Sequence, residues 1–483
     1  MTHIEFDAFD YRADQSFRRA HYAFDGDTAR GWTIRRDGAV ALELGPGYRL
    51  LRTQSCGVCS TDLARHFLPF PLPQVTGHEV IARDEQNRRF VVEINASHEA
   101  RGIHDGCPFC RAGLPTHCPQ RIVLGIHDLP GGFGPWMLVP VQACIEVPDA
   151  VPDDAAVLIE PFAAALHGVD MLAPRAGERV AVLGPRRLGM LVVAALAGVR
   201  NEMRRRGAEF TVAALARDPA LLEIARGFGA TELHQVDGAA HTLADCNFDV
   251  VIDTTGNPEA LPTAVRLARR EVHLKSTHGR PAAGIAHLTE LVVDELAIER
   301  FPLDVPAMGT AVWDRLATGP RPRVAWLAAT SPPAWLQDRC ELHRGDAADL
   351  AAHYDRATAG LPRADVAVVE NAAQVDLAIR PRAGREEALI RPRGSILLLP
   401  GPDAAKSPLL AAIAGRGLRL SSSRCGDFRR ALDLLVADPS LRDIGRRLVT
   451  HRFTAGELPR AFQVAHSRGC IKAVVAHSDE GTA

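Results

Sequence analysis

The hydrophobic pattern of the chain changes at about residue 151. Between residues 30 and 150, glycine and proline are frequent and the apolar runs are short, as in AVALEL and RFVVEI, with no long helical period. Beyond residue 151, apolar runs alternate with amphipathic stretches, as where RVAVLG precedes LGMLVVAALAGVRNEMRRRG. The first texture predicts a compact β-barrel-like domain. The second predicts βαβ units and a parallel sheet.

Length and composition are typical of a multidomain globular protein. The 483 residues suit two or three domains, and 47% hydrophobic and 24% charged residues with a net charge of -2 give no sign of nucleic-acid binding. The first twenty residues carry acids throughout, and no later stretch approaches the roughly 20 apolar residues of a membrane span. We therefore expect a soluble, cytoplasmic protein without membrane or nucleic-acid partners.

Cysteine usage favours metal binding. The chain has ten cysteines, four of them in the CxxC pairs CGVC and CPFC. Few cysteines in a long chain fit metal ligands in a reducing compartment better than a disulfide framework.

A first candidate zinc site lies in CGVCSTDLARHFLPFPLPQVTGHEV, where a cysteine, a Thr-Asp pair and a Gly-His-Glu triplet follow each other closely. Thiolate and imidazole suit Zn²⁺, and a catalytic zinc needs a third protein ligand and an open position. Glu160 is the candidate third ligand. Its carboxylate stands in the otherwise apolar run LIEPFAAALHG, where burial without a partner is costly.

A second candidate zinc site lies in HDGCPFCRAGLPTHC. Cys107 and Cys110 form a CxxC pair and Cys118 follows. Three thiolates leave a tetrahedral zinc one ligand short, so the sequence predicts a fourth donor nearby.

These motifs, with RIVLGIHDLPGGFGPWMLVP, IEPFAAALH and SSSRCGDF, resemble the zinc-dependent medium-chain dehydrogenase/reductase family, close to threonine and sorbitol dehydrogenases. The resemblance covers roughly residues 30–300 and 418–475. It implies an α/β protein with a GroES-like β-barrel catalytic domain, formed by residues 1–168 and 418–483, and a Rossmann nucleotide-binding domain over residues 169–301.

The resemblance also implies roles at the catalytic zinc. In this family the zinc cysteine precedes x-Thr/Ser-Asp, which makes it Cys59 rather than Cys56. The other implied roles are His78 and Glu160 as zinc ligands, Glu79 as an inner or exchangeable ligand, Thr61 as the hydroxyl relay, and Asp62 as the residue that orients His78. The alternative is that Cys59 and His78 are ordinary core residues.

In the same family the structural zinc loop spaces four cysteines at intervals of three, three and eight. Stepping back three residues from Cys107 reaches His104, so an imidazole fills the missing position. Cys₃His is an established zinc set. His98 is a second candidate donor, and a degraded site is the alternative to both.

The nucleotide motif departs from the family pattern GxGxxG. In GPRRLG, Gly184 and Gly189 hold the outer positions and Arg186 replaces the middle glycine. The start of the following helix still offers amides to a phosphate, whereas Arg186 or Arg187 either adds charge there or fills the space of the nucleotide. The remaining cofactor candidates are Leu188, Arg217, Thr255 and Arg424.

The residues at the end of the next predicted strand, FTVAALA, bear on the choice between NAD and NADP. Ala216 and Arg217 stand where the family usually has the acid that binds the ribose 2′-hydroxyl. An arginine suits a 2′-phosphate, so NADP is favoured over NAD. The alternative is that Arg217 is merely solvated.

The function implied by the resemblance is hydride transfer between a nicotinamide cofactor and a secondary alcohol or polyol, or the matching ketone or aldehyde. Because both the glycine motif and the zinc loop are altered, two alternatives stay open: a binding or scaffold protein without turnover, and an epimerase that uses zinc and nucleotide. The substrate pocket is expected in the loops LARHFLPFPLPQ and HDLPGGFGPW, whose residues are mainly apolar and aromatic.

Residues 302–417 are not part of the family pattern. Within them, PRVAWLAATSPPAWLQDRC echoes FTVAALARDPALLEIARGFG, and ADVAVVENAAQVDLAI echoes FDVVIDTTGNPEALPTAV. This predicts an inserted Rossmann-like half repeat without a phosphate loop. Because family members commonly dimerise through sheet edges, we hypothesise that the insertion covers the edge of the homo-oligomer contact. An unrelated α/β insertion is the alternative.

Overall fold

The computed structural model divides the chain into two compact units. One consists of residues 1–164 and 425–483, and the other of residues 165–424. The structure describes the whole chain except residues 105, 237–242, 277–279, 303–320, 357–360, 383, 385–386 and 478–483. The first part of the predicted insertion therefore lies outside the described residues.

An antiparallel sheet opens the first unit. Its four described strands follow chain order: β1 (Thr2–Tyr11), β2 (Phe17–Asp27), β3 (Gly31–Arg36) and β4 (Ala39–Leu44). Phe6 packs edge-on against Phe24, with ring centroids 5.0 Å apart. Gly31 has a φ of 108°, and a Cβ there would lie 2.2 Å from the backbone oxygen of Leu44. The turn into β3 therefore requires glycine.

The second sheet of this unit forms the β-rich body expected from the short apolar runs. Its path in the described residues is β11-β7-β6-β5-β24-β23, with β10 also paired to β5. The strands are β5 (Tyr48–Gly57), β6 (Glu79–Arg83), β7 (Arg89–Val92), β10 (Trp136–Pro140), β11 (Cys144–Glu146), β23 (Val449–Thr454) and β24 (Lys472–Ala476). A short pair, β8 (Asn95–Ala96) and β9 (Ile122–Val123), lies apart from it. Buried side chains such as Leu51 and Met137 fill the core.

Most helices of the first unit are short. In the described residues they are Ser60–Leu63, Pro108–Arg111, Asp153–Ala156, Phe428–Ala437, Ile444–Leu448 and Leu458–His466, and Ile159–Leu172 runs from this unit into the other. The chain returns to the first unit at residue 425, so β23 and β24 add the carboxyl-terminal strands to the barrel sheet.

The second unit begins with the predicted parallel sheet. Its strand order is β14-β13-β12-β15-β16, and every pairing in this part is parallel. The strands are β12 (Arg179–Leu183), β13 (Thr211–Ala216), β14 (Glu232–Gln235), β15 (Phe248–Asp253) and β16 (Ala268–Leu274), and the helices are Arg187–Arg204, Pro219–Gly227, Ala260–Leu267 and Leu288–Val293.

The same sheet continues through the inserted residues. Beyond β16 the order is β22-β17-β21-β20-β18-β19, which gives eleven strands in the described part of the chain. The strands are β17 (Ala297–Arg300), β18 (Arg323–Trp326), β19 (Glu341–Arg344), β20 (Ala364–Val369), β21 (Ile390–Leu398) and β22 (Arg419–Ser422), and the helices are Ala334–Gln337, Ala347–Asp355, Ala372–Ile379 and Pro408–Arg416.

The strands β17 and β22 meet in the middle of this sheet, antiparallel, with Ile298 opposite Leu420. β17 precedes the insertion but pairs in parallel with β21 of the insertion, whereas β22 follows the insertion but pairs in parallel with β16. The two halves thus exchange strands. Hydrogen bonds of one continuous sheet therefore join residues 169–301 to the described part of residues 302–417.

A buried polar group secures the return of β22 to the first half. His273 on β16 makes hydrogen bonds with the hydroxyl groups of Ser421 and Ser423, each 2.8 Å long. Burial and the nearby Lys275 ammonium hold the pKa of His273 well below its usual value. A neutral imidazole can donate through one nitrogen and accept through the other, so it ties both serines to the strand.

Of the helices in the described residues, none combines the length and the apolar character needed to cross a membrane.

Candidate catalytic and metal centres

Asp62 connects the two segments that carry the predicted catalytic cysteine and histidine. After β5 ends, Cys59 precedes the helix Ser60–Leu63, and its backbone N–H donates to Asp62 Oδ2 at 2.8 Å. The other oxygen, Oδ1, accepts from the backbone N–H of Gly77 and lies 3.4 Å from His78 Nδ1. Thr61 Oγ1 lies 3.6 Å from Cys59 Sγ. The predicted orienting residue thus contacts both arms of the site.

Glu79 is paired with a residue that the sequence analysis missed. Lys472, in β24, places its Nζ 2.7 Å from Glu79 Oε1 and 3.3 Å from the backbone oxygen of Val58, and all of these groups are buried. Gly57 makes the approach feasible, since a Cβ there would lie 2.2 Å from Glu79 Oε2. The only signal in the sequence is a lysine within the apolar run CIKAVVA, in a chain with three lysines.

Glu160 faces the same cluster from the start of the helix Ile159–Leu172. Burial raises the pKa of its carboxyl group to about 7, with the His78 imidazole opposing the shift and the Glu79 carboxylate adding to it. Burial opposes charge on His78, but Asp62 and Cys59 outweigh it and raise the pKa of His78 well above its usual value. These side chains therefore interact directly through their charges.

The donor set fits a zinc ion in its chemistry. It offers a thiol, an imidazole and carboxylates, the ligand types that catalytic zinc sites use. The carboxyl groups of Asp62, Glu79 and Glu160 and the thiol of Cys59 lie around one lysine and one histidine, so several anionic donors are available to a dication. In the described residues, however, the donor atoms of Cys59, His78 and Glu160 are not all gathered within 4.8 Å of one another.

A tighter cluster forms at the second predicted zinc site. Donor atoms of His98, Cys107 and Cys118 all lie within 4.8 Å of one another, with the two sulfurs 3.9 Å apart. Cys110 adjoins this group: burial raises the pKa of its thiol to about 12, and Cys118 and Cys107 add to the shift. All ten cysteines carry free thiols. Three thiols and one imidazole form a Cys₃His set, one of the ligand sets of structural zinc sites.

The histidine in this cluster is His98 and not the favoured His104, which is exposed and outside the gathered group. Two backbone hydrogen bonds, Arg101 N to Ser97 O and Ile103 N to His98 O, fold residues 97–103 into a turn that brings His98 towards the cysteines. Counting residues back from Cys107 does not detect such a turn. His98 Nε2 contacts Gln120 Oε1 at 2.7 Å, a contact that fixes the ring orientation.

Metal analysis of two histidine variants distinguishes these donors. We expect about two zinc ions per chain in the purified protein, and we expect His98→Ala to lose one of them and to unfold at lower temperature, because a structural metal contributes directly to folding. His104→Ala is the matched control and should keep both ions. Loss of zinc from His104→Ala, with full retention by His98→Ala, would reverse the assignment. Inductively coupled plasma mass spectrometry gives the stoichiometry.

In the second unit, the outer glycines of GPRRLG are required by packing. Gly184 has a φ of 80°, and a Cβ on Gly189 would lie 2.7 Å from the Gly184 oxygen and 2.5 Å from Thr254 Oγ1. Thr254 donates its hydroxyl hydrogen at this turn, to the backbone oxygens of Leu183 and Gly184. Arg186 is the cap of the helix Arg187–Arg204, whose first turn contains Leu188. The backbone therefore keeps the strand, tight turn and helix start of a phosphate loop.

Arg217 follows β13 and is exposed. The next residue, Asp218, accepts a hydrogen bond from Ala220 N at 2.9 Å and caps the helix Pro219–Gly227. The acid nearest to the end of β13 is thus engaged within the protein, which leaves an arginine as the charged group presented there.

The two remaining cofactor candidates are held by acids of the second unit. Thr255 donates from its N–H and its hydroxyl to Asp253 Oδ1, at 2.9 and 2.7 Å. Arg424 N donates to Glu295 Oε1 at 2.8 Å. Both carboxylates are buried, so they fix the backbone at these two positions.

Comparison with known proteins agrees with these motifs. The alcohol dehydrogenase GroES-like domain model matches residues 45–149. L-galactonate-5-dehydrogenase of Escherichia coli (strain K12) is 31% identical over 240 residues, which cover 47% of this chain and 67% of that enzyme. The chain belongs to the zinc-dependent medium-chain dehydrogenase family. L-threonine 3-dehydrogenase of Aeromonas hydrophila is 30% identical over 241 residues, and the match spans 46% of this chain and 66% of that protein.

Solved structures share the fold of this family member. A zinc-binding dehydrogenase from Sinorhizobium meliloti 1021, with NADP bound, is 19% identical with a TM-score of 0.52, and the match covers 98% of this chain and 99% of that one. L-idonate 5-dehydrogenase from Escherichia coli K-12 gives 13% identity and a TM-score of 0.54, covering 99% and 100%. The α/β fold with a GroES-like domain, predicted from the sequence, is confirmed.

Proposed function

We propose that this family member is a zinc-dependent oxidoreductase that transfers a hydride between a secondary alcohol or polyol, or the matching carbonyl compound, and a nicotinamide cofactor. The observation that carries the proposal is the cluster of Cys59, Glu160 and the buried His78 and Glu79, ordered by Asp62. L-threonine 3-dehydrogenase and L-galactonate-5-dehydrogenase, two of its relatives, support a substrate with a secondary hydroxyl group. A protein without turnover would have no need to gather this many ionisable groups at one place.

Cys59, His78 and Glu160 would hold the catalytic zinc, with Glu79 as an exchangeable partner. Zinc at this position supplies Lewis acidity to the substrate oxygen and lowers the pKa of an alcohol. Asp62 keeps the His78 ring in place, and Lys472 compensates the charge of Glu79. These contacts position the ligands before substrate arrives.

Thr61 is the proposed proton relay. Its hydroxyl lies 3.6 Å from the Cys59 sulfur, within the short helix that the Asp62 contacts hold. A hydroxyl group donates and accepts at the same time, so Thr61 can take the proton of the substrate alcohol and pass its own proton outward.

The substrate pocket is proposed to lie beside this helix, in the two loops expected from the sequence. Phe70 of the first loop stacks on His127 of the second, with ring centroids 4.5 Å apart. The fully buried Arg65 donates to the backbone oxygens of Phe70 and Pro71 and to Gln74 Oε1, and so fixes the first loop. An aromatic wall held in this way suits a substrate with an apolar portion next to its hydroxyl group.

The second unit is proposed to bind the nucleotide at the turn from Gly184 to Gly189, which follows β12. Thr255 and Arg424, which follow β15 and β22, are proposed to contribute to the same site. The nicotinamide supplies the hydride chemistry. Amides at the start of the helix Arg187–Arg204 would meet the pyrophosphate, and Arg217 would meet a 2′-phosphate. The free exposure of Arg217, together with the capping role of Asp218, supports a preference for NADP.

Arg217→Ala tests this preference. Loss of a charge-assisted contact should raise KM for NADP by roughly tenfold to a hundredfold and leave KM for NAD within about twofold. Arg226→Ala, which removes an exposed arginine from the same region, is the control. Steady-state kinetics with both nucleotides measures the difference. An equal effect of Arg217→Ala on both nucleotides would show that this arginine is only solvated.

We also propose that the insertion takes the place of a second subunit at the sheet edge. Without it, β16 and the strand after it would end the sheet and expose unpaired backbone groups. Instead β17 and β22 pair in the middle, and β21, β20, β18 and β19 extend the sheet from within the chain. The protein then does not need a second copy at this edge.

Sedimentation equilibrium tests this proposal. At micromolar concentrations and below, the protein is expected to sediment with the mass of a monomer. The reason is that the sheet edge through which family members commonly dimerise is here covered by strands of the insertion. A dimer that persists on dilution to the nanomolar range would contradict it.

A further inference from the structure

Three metal-binding side chains converge on the inserted half of the sheet, away from the two zinc centres in sequence. Glu341 and His343 lie on β19, and His353 lies in the last turn of the helix Ala347–Asp355. One donor atom from each lies within 4.8 Å of the other two. Neither the dehydrogenase site nor the predicted nucleotide site uses them.

Local structure explains the convergence. Residues two apart on a strand point to the same face, so Glu341 and His343 share the face of β19 on which the helix packs. Asp346 caps that helix by accepting from Ala348 N at 2.8 Å, and this sets where the helix begins. His353 then reaches the strand, with its ring centroid 4.2 Å from that of His343.

A buried hydroxyl orients one of the histidines. His343 Nδ1 lies 3.2 Å from the Tyr354 hydroxyl, and Tyr354 is 1% exposed. The other nitrogen, Nε2, faces Glu341 Oε1 at 3.8 Å, which is longer than a hydrogen bond. Histidines that bind metals commonly have one nitrogen held by such a partner while the other faces the ion.

The three side chains are placed so that one cation can be shared among them. The imidazole rings of His343 and His353 have centroids 4.2 Å apart, and the Glu341 carboxylate adjoins them, so each side chain offers a lone pair to the same space.

The opposite edge of the sheet offers a comparison. β14 carries the same Glu-x-His spacing, with Glu232 and His234. There, however, Glu232 forms an ion pair with Arg179, so its carboxylate is already engaged. The spacing alone therefore does not make a site, and the difference at β19 is the second histidine.

We propose that Glu341, His343 and His353 bind one divalent transition-metal ion of the zinc type, with solvent in the remaining positions. Two imidazoles and a carboxylate are a zinc ligand set, and imidazole ligands favour zinc, nickel and copper over magnesium or calcium. Glu341 is 55% exposed and His343 is 29% exposed, so the ion can enter from solvent and exchange with it.

Zinc titration of the full-length protein tests the site. The protein is first dialysed so that it keeps its tightly bound zinc, and Zn²⁺ is then added in an isothermal titration calorimeter. We expect one further equivalent to bind to the wild-type protein, and its affinity to fall at least tenfold in His343→Ala and in His353→Ala. His234→Ala is the matched control and should bind like the wild type. Circular dichroism and the basal dehydrogenase rate check that each variant is folded.

The exposed position of His353 makes its variant the decisive one, because its removal leaves the core untouched. Equal stoichiometry and affinity in wild type and His353→Ala would overturn the proposal, and so would loss of the additional equivalent in His234→Ala. Tyr354→Phe gives an intermediate weakening if the hydroxyl orients His343. Titration with Mg²⁺ in place of Zn²⁺ should give no binding at these residues.

Discussion

Cys59→Ala is expected to lower kcat/KM for alcohol oxidation by about a thousandfold or more, while the protein stays folded. The thiolate is one of three proposed zinc ligands, and without it the zinc is lost or held in the wrong geometry. Lewis-acid stabilisation contributes several kcal/mol, and each 1.4 kcal/mol corresponds to about tenfold in rate. Steady-state kinetics and metal analysis of the same preparation measure both effects.

Cys56→Ala is the matched control, because it removes the other thiol of the same CxxC pair. Cys56 is fully buried and its sulfur contacts the backbone oxygen of Gly57 at 3.7 Å, so its loss affects packing and not the ligand set. We expect near-normal turnover and a small loss of stability. Full activity in Cys59→Ala, or equal inactivation of both variants, would remove Cys59 from the catalytic site.

Lys472→Met is expected to destabilise the protein by about 3–5 kcal/mol. The substitution leaves the Glu79 carboxylate buried without its partner, and breaking a buried ion pair on one side costs about this much. Urea denaturation followed by circular dichroism measures the free energy of unfolding. The double variant Lys472→Met/Glu79→Gln should recover part of the loss, since it removes the unpaired charge as well.

The stabilising contribution of the Lys472–Glu79 pair should decrease at alkaline pH. Burial works against the charge on Lys472, but Glu79 and Cys59 outweigh it and raise the pKa of the ammonium group. Because the folded pKa exceeds the unfolded one, the contribution is complete below the unfolded pKa of lysine and is lost as pH rises through the folded pKa. The free energy of unfolding of Lys472→Met should therefore lack this decrease at alkaline pH. If Lys472→Met had the same free energy of unfolding as the wild type, the proposed ion pair between Lys472 and Glu79 would be contradicted.

Sequence alone could predict the parts of the site that lie in contiguous motifs. Cys59, Asp62 and His78 stand in such motifs, and the structure brings them into contact through Asp62. Lys472 could not be found in this way, because it is 393 residues from Glu79 and meets it only when β24 pairs with β5. A single lysine in an apolar strand carries no motif.

The features that the sequence did not predict also depend on contacts between residues that are not in one motif. His98 joins the cysteines through a hydrogen-bonded turn, whereas residue spacing pointed to His104. For the insertion, the repeated βαβ texture predicted parallel strands, and the structure has them. Which strand pairs with which was beyond that texture, since β17 and β22 each have only four residues, too few to indicate which of them follows β16.

Zinc dependence of turnover tests the central proposal most directly. Secondary alcohols and polyols are screened with NADP and NAD by the absorbance of the reduced nicotinamide, and the best pair is then assayed with protein that has been stripped of zinc and reloaded. We expect stoichiometric formation of reduced nucleotide, loss of this activity on removal of zinc, and its return when Zn²⁺ is added. Turnover that is unchanged after complete removal of zinc, or no reduced nucleotide from any compound with zinc-loaded protein, would contradict it.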